Sequence, residues 1–211
     1  MTATSRTRDT STSTVKGDER RAAILSTLRR LLTERRFSEI TVADITERAG
    51  ITRSAFYFYF PSKAAAVGAL LEDVRDNTVG LAATWYGGST GAPELRLREG
   101  MRKTIAQWRR NAALFAAVLD AAAMDAAAGR LWSTFIDGFI VRVADRIDED
   151  AIRSPGRRPP SAAALATGLV HMIFALMERD VRNLLAGGDG VPELEEVLVH
   201  VWHTAIYGES P

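Results

Sequence analysis

The chain has 211 residues, 46% of them hydrophobic, with 27 Lys and Arg against 26 Asp and Glu for a formal net charge of +1. That is enough chain to bury a core in one or two domains. The absence of cysteine excludes a disulfide framework, a thiolate metal site and a cysteine nucleophile. No apolar run reads as long enough to span a bilayer, and the N-terminus lacks an apolar signal core. A cytoplasmic protein with no membrane partner is expected.

Residues 1–17 are rich in Thr, Ser and Arg and nearly devoid of apolar side chains, which predicts a disordered tail. The first helix is predicted over 18–35, capped by Gly17 or Asp18. Its apolar stripe is Ala22, Leu25, Leu28, Leu31 and Leu32, with Ile24 beside it. Phe37 and Ile40 then pack the loop that leads into Thr41.

Thr41 is an N-cap, since its hydroxyl can accept from an orphan N–H of the first turn, and Asp44 places a negative charge at the positive helix end. Val42, Ile45 and Ala49 recur at helical spacing, and Gly50 ends the helix with the left-handed conformation a tight turn requires. Ile51 plugs the angle between the two helices. Thr52 caps a second helix that runs to about Tyr59, and Pro61 stops it at Phe60. Ser62 caps the next helix, with Lys63 in its first turn. Two helices joined by a glycine turn at this spacing fit a unit that lays its second helix in the major groove of DNA. Thr52, Arg53, Ser54 and Ala55 open that helix; small residues permit close approach to base edges, and Arg can bond bidentately to guanine. Tyr57, Tyr59 and Lys63 carry hydroxyls and an amine suited to phosphates. In the run Phe56-Tyr57-Phe58-Tyr59-Phe60, Phe56 and Phe60 read as core, and the three between them are open to either the core or the surface. Charge follows the same division: residues 1–63 hold 12 Lys or Arg against 7 Asp or Glu, whereas 64–211 hold 15 against 19.

One long helix is predicted over 63–85, then a loop at 87–93 and a helix from Pro93 to Arg110. An Ala-rich helix over 112–128 carries Leu114, Phe115, Val118 and Leu119. A helix over 130–150 has the pattern Leu131, Trp132, Phe135, Ile136, Phe139, Ile140, Val143 and Ile147. The run 154–161 is a break, 161–186 a helix, 187–192 a loop, and 192–207 the last helix. No period-2 pattern of useful length and no internal repeat occurs. The expected fold is all-α, about nine helices, in three parts: a tail over 1–17, a three-helix DNA-binding domain over 18–66, and a ligand-binding and dimerisation domain over 67–211.

The segment T-V-x-D-I-x-x-x-A-G-I-T-x-x-x-F-Y-x-Y-F-x-S-K, from Thr41 to Lys63, resembles the DNA-binding domain of the tetracycline-repressor family, and the likeness covers roughly residues 20 to 70. The resemblance implies a helix-turn-helix head followed by a larger helical domain that binds a small molecule and forms a homodimer through its last two helices. It puts Arg53, Ser54, Ala55 and Tyr57 at base-facing positions and Thr41, Val42, Tyr59 and Lys63 near the phosphates. Val42 departs from the hydroxyl-bearing residue often found at its position. Segments at 131–135, around Met177-Glu178-Arg179 and over the last helix resemble a branch of the family whose second domain holds a long, mostly apolar channel. Positions near Phe174 and Met177 that are polar in that branch are apolar here, which implies a greasier effector.

For the second domain, the residues themselves favour a cavity. Aromatics and methionines concentrate there, at Trp108, Phe115, Trp132, Phe135, Phe139, Met172, Phe174, Met177 and Trp202, beside small residues from Ala121 to Ala128. Ordinary helical core is the alternative for any one of them. Glu178 and Arg182, at i,i+4, read as a surface pair in preference to a buried bridge between helices. His200 and His203 lie three apart, but nothing completes a metal site, and no phosphate-binding loop or nucleophile motif occurs. No cofactor, no metal and no catalysis are expected. The reading is a ligand-responsive homodimeric repressor, with near-palindromic operator DNA and a small apolar effector as partners. Alternatives are a small-molecule or lipid-binding protein or enzyme on the same fold that has lost DNA binding, or a transcriptional activator.

Overall fold

The computed structural model of the protein describes residues 9–72, 74, 92–153 and 161–208. These are helical, with no strand among them. The head comprises α1 (Asp9–Glu34), a 3-10 turn (Phe37–Glu39), α2 (Val42–Ala49), α3 (Arg53–Tyr59) and α4 (63–72). The body comprises α5 (Pro93–Arg110), α6 (Ala112–Met124), α7 (Ala126–Arg153), α8 (Ala162–Leu185) and α9 (Leu194–Tyr207).

α1 starts at Asp9, so residues 9–17 extend the helix rather than belong to a tail. Gly17 does not stop it, since one glycine inside a helix costs only about 1 kcal/mol. Ile24, Leu28 and Leu31 are fully buried, while Ala22 lies outside the buried stripe. They meet Phe37, Ile45, Phe56 and Phe60, all below 5% exposed, in the core of the head. Burial of a side chain such as Phe56 contributes roughly 1.5–3 kcal/mol.

α2 is fixed at both ends. Thr41 Oγ1 accepts from the Asp44 N–H at 3.2 Å, and the Thr41 N–H donates to the Asp44 carboxylate at 2.7 Å. This reciprocal box satisfies two groups that a short helix would otherwise leave to water. Arg35 holds the other oxygen of Asp44 at 3.2 Å, and Arg48 pairs with Glu34, so both ends of α2 are tied to the C-terminal turn of α1. Gly50 ends α2 at φ 65° and ψ 35°, with its N–H and that of Ile51 closing on the last carbonyls. No atom lies within 4 Å of where a Cβ on Gly50 would stand, so the requirement there is backbone conformation alone.

Ser62 caps α4 by accepting from the Ala65 N–H at 3.0 Å. Past residue 74, the long helix predicted to Trp85 and the loop over 87–91 lie outside the described residues. α4 comes hard against α7: a Cβ on Gly68 would stand 2.8 Å from Leu131 Cδ1.

α5 begins with Pro93 at its first position, where the missing N–H costs nothing. The Ala-rich segment does not run on to 128. It breaks at Asp125, which takes an extended conformation and accepts from the N–H groups of Ala127 and Ala128 at 2.8 and 2.9 Å. Asp125 thereby caps α7, which begins four residues before its predicted start. The break at 154–160 lies outside the described residues; Ser161 then caps α8. α8 packs on α7 and α6, and α5 packs on α9. The expectation that no run could span a bilayer needs correction, because α8 is long and apolar enough by length and composition, at mean hydropathy 1.3. It also carries Asp180, which is fully buried against Arg109 of α5 at 2.8 and 2.9 Å and accepts from the Val191 N–H at 2.7 Å. Burial pushes the Asp180 carboxyl up, but the hydrogen bonds from Arg109 and Val191 outweigh it and leave the group below the ordinary carboxylate value. One charge thus joins α5, α8 and the loop into α9.

Gly50→Ala should destabilise the protein by about 1–2 kcal/mol, since an alanine must take the left-handed conformation; urea unfolding midpoints measure it. Asp44 is expected to control part of the acid limb. The Thr41 hydroxyl and N–H, followed by Arg35, hold its carboxyl at about 2, below the ordinary 3.8. A folded value below the unfolded one means that its contribution is complete above about 3.8 and disappears as pH falls through about 2. Unfolding midpoints followed through this window should fall less steeply for Asp44→Ala than for the parent chain.

Candidate nucleic-acid interface

α3 is seven residues long and divides cleanly into two faces. Thr52 Oγ1 accepts from the Ala55 N–H at 3.1 Å and so fixes the first turn. Phe56 and Phe60 point into the head with ring centroids 5.9 Å apart, and Phe56 also meets Tyr57 edge-on at 5.5 Å. The opposite face exposes Arg53, Ser54, Tyr57 and Phe58, with Ala55 and Tyr59 half-buried at its margins. Tyr57 is 54% exposed and Phe58 82%, so of the three rings left open by the sequence, two face out. No acidic side chain occurs in α3, and phosphate would meet no repulsion from it.

The residues expected near phosphates are placed less uniformly. Thr41 is exposed, its hydroxyl shared between the cap and the Asp44 carboxylate at 2.7 Å. Val42 is half-buried and packs against the core, consistent with the loss of a hydroxyl there. Lys63 is turned inward. Its Nζ donates to the carbonyls of Phe37 and Ile40 at 2.6 and 2.5 Å and stands 4.0 Å from the centroid of the Phe37 ring. Burial holds its pKa below the ordinary lysine value, against a smaller opposing pull from Asp44. The expectation of a lysine reaching outward to phosphate missed this clamp, because the carbonyls come from residues 26 and 23 positions earlier.

Behind the head, six of the nine aromatic and methionine residues singled out in the body form one continuous ring cluster. Trp108 of α5 stacks on Phe115 of α6 with centroids 4.0 Å apart and planes 4° from parallel. Trp132, Phe135 and Phe139 of α7 continue it, and Phe174 of α8 touches all but Phe115, at 5.4 to 6.0 Å. Met172 and Met177 flank Phe174 on α8, half-buried and buried, and Trp202 is buried on α9. The Glu178–Arg182 pair expected on the surface extends further: Arg182 bonds Glu178 at 2.9 Å and also forks onto Asp120 of α6 at 3.1 and 3.2 Å. Among the described residues no group of His, Asp and Glu could hold a metal ion; His200 is exposed, and His203 is buried against Tyr207.

Comparison with known proteins agrees with this arrangement. Residues 24–70 match the family of bacterial regulatory proteins of the tetR type, and residues 97–208 match the C-terminal domain of the transcriptional regulator EthR. The chain is 35% identical over 198 residues to the HTH-type transcriptional regulator EthR of Mycobacterium tuberculosis, spanning 92% of this chain and 90% of that one. It is 30% identical to the regulator of the same name in Mycolicibacterium smegmatis, over 92% and 89% of the two chains. A solved TetR-family regulator of Syntrophomonas wolfei shares the fold with a TM-score of 0.68 at 21% identity, over 90% of this chain and 96% of that one. The chain therefore belongs to the TetR family, with a helix-turn-helix head and a C-terminal domain of the EthR type.

Proposed function

We propose that the chain is one protomer of a homodimeric transcriptional repressor that an apolar effector releases from its operator. The observation that carries the reading is the outer face of α3, where Arg53, Ser54 and Tyr57 are exposed while Phe56 and Phe60 anchor the helix from behind. Such a helix can enter the major groove with a bidentate donor near its first turn. Tyr57 and Tyr59 supply hydroxyls for phosphate. Lys63 acts from behind by holding the 3-10 turn that leads to Thr41.

The dimer uses α8 and α9. Ala163, Ala164, Thr167, Gly168, His171 and Ala175 form an exposed, small-residue face on α8, with Val197 and His200 exposed on α9. Small side chains let two helices approach closely, and a two-fold contact there sets the spacing of the two heads on a near-palindromic site. The effector is apolar, because the ring cluster spanning α5 to α8 offers mainly aromatic faces to a guest, with the Arg142 guanidinium 5.4 Å from the Phe139 centroid. α6 supports a coupling route. Phe115 joins it to the cluster, and α6 also packs against α1 and the 3-10 turn. A guest that displaces Phe115 moves α6 against the segment holding α2, and so favours a head spacing that misfits the operator.

The test is selection of genomic DNA fragments by the purified protein, followed by mass spectrometry of apolar molecules that copurify. Enrichment of a near-palindromic site, lost on addition of the identified molecule, is expected. Equal affinity for selected and random duplex would sink the reading. Arg53→Ala should relax selectivity by about ten-fold or more at one base pair per half-site, as loss of a bidentate contact requires. Lys63→Ala should weaken selected and random duplexes alike and also lower the melting temperature, a pairing that a simple phosphate contact would not give.

A further inference from the structure

Phe58 is the most exposed of the large hydrophobic side chains described, at 82%, and it stands on the helix the protein uses to read DNA. It follows Ser54 by one turn, so the two share a side of α3. Its ring has an edge-on contact at 5.1 Å with Tyr59, which holds its base without covering its outer face. Unlike Tyr57, it has no hydroxyl and cannot donate to a phosphate. An aromatic ring kept bare in water beside Arg53, Ser54 and Tyr57 is unfavourable in the free protein, so its gain must come on binding.

The major groove offers one apolar group on base edges, the C5-methyl of thymine, and phenylalanine is among the side chains that contact it. We infer that Phe58 reads a thymine methyl in each operator half-site and is a specificity-determining residue of the interface. The inference rests on the DNA-reading function proposed above. Phe58 lies five residues beyond Arg53, about 7.5 Å along the helix. At about 3.4 Å per base pair, a helix lying along the groove places the thymine about two pairs from the base pair read by Arg53.

The experiment uses the full-length protein and its selected operator, with each thymine replaced in turn by deoxyuridine, which removes only the methyl. The parent chain should lose about three- to ten-fold in affinity at one symmetric position, the scale expected for one buried methyl. Phe58→Ala should bind the thymine and deoxyuridine duplexes equally, and Phe58→Leu should keep part of the difference. With the side chain this exposed, neither variant should shift the melting temperature. Equal loss by Phe58→Ala on both duplexes would mean that the ring packs on sugar or backbone, and would overturn the inference. So would a deoxyuridine effect that persists in Phe58→Ala, or no effect at any position. In each of these results selective binding by the parent chain survives; failure of the parent chain to select any site would instead strike the proposed function.

Discussion

The ammonium of Lys63 organises the head. It is the first residue of α4, yet its two hydrogen bonds end on the carbonyls of Phe37, which opens the 3-10 turn, and Ile40, which follows it. The Phe37 carbonyl also accepts from the Ile40 N–H at 3.3 Å, so Lys63 adds a charged second donor there and a donor to the Ile40 carbonyl, and a buried polar group left unpaired is expensive. By meeting both, and by lying over the Phe37 ring, Lys63 fixes the point at which Thr41 begins α2. The glycine turn and the caps of α2 and α3 then determine how α3 is presented. A single cation therefore links the helix leading away from the head to the geometry of the reading surface.

The body meets the head close to this clamp. A cleft of about 640 Å³ separates them, lined on one side by Phe37, Ser38 and Glu39 and on the other by Ala113, Ala116 and Ala117 of α6. The alanines leave room for the turn, while Phe115 on the same helix belongs to the ring cluster. In the wall of the same cleft Arg182 of α8 ties α6 through Asp120, in a bridge open enough to water that its own stabilisation is small. The hold on α6 therefore comes from its buried face of Leu114, Phe115, Ala117 and Val118 rather than from that bridge, whereas α5 and α8 are joined through the fully buried Asp180 carboxylate.

Much of this was legible in the chain. Caps and breakers are local, and Thr41, Gly50, Thr52, Ser62 and Pro93 each do what residue type and position imply. Phe56 and Phe60 could be assigned to the core from their spacing. What escaped depends on partners distant in sequence. Lys63 looks like any basic residue near DNA until residues 37 and 40 are brought beneath it. Asp180 looks like a surface charge until Arg109 arrives from 71 positions away. Asp125 is a different case: its residue type suits a cap, but the surrounding alanines have such high helix propensity that the sequence predicts helix straight through it to 128. Phe58 shows the limit of periodicity, because five successive aromatic residues, from 56 to 60, leave no pattern to say which ring faces out.

The outer face of α8 has a consequence for the thermodynamics of the protein. TetR-family regulators form dimers, and a helix of this hydropathy with Ala163, Ala164, Gly168 and Ala175 in contact with water is poorly solvated as a single chain. In a dimer formed through this face, as proposed above, folding and association share one equilibrium and mass action enters stability directly. Dilution alone would then lower the temperature at which the body unfolds. The cell's concentration of the protein would consequently set two quantities together: how much operator is occupied, and how durable each protomer is before degradation.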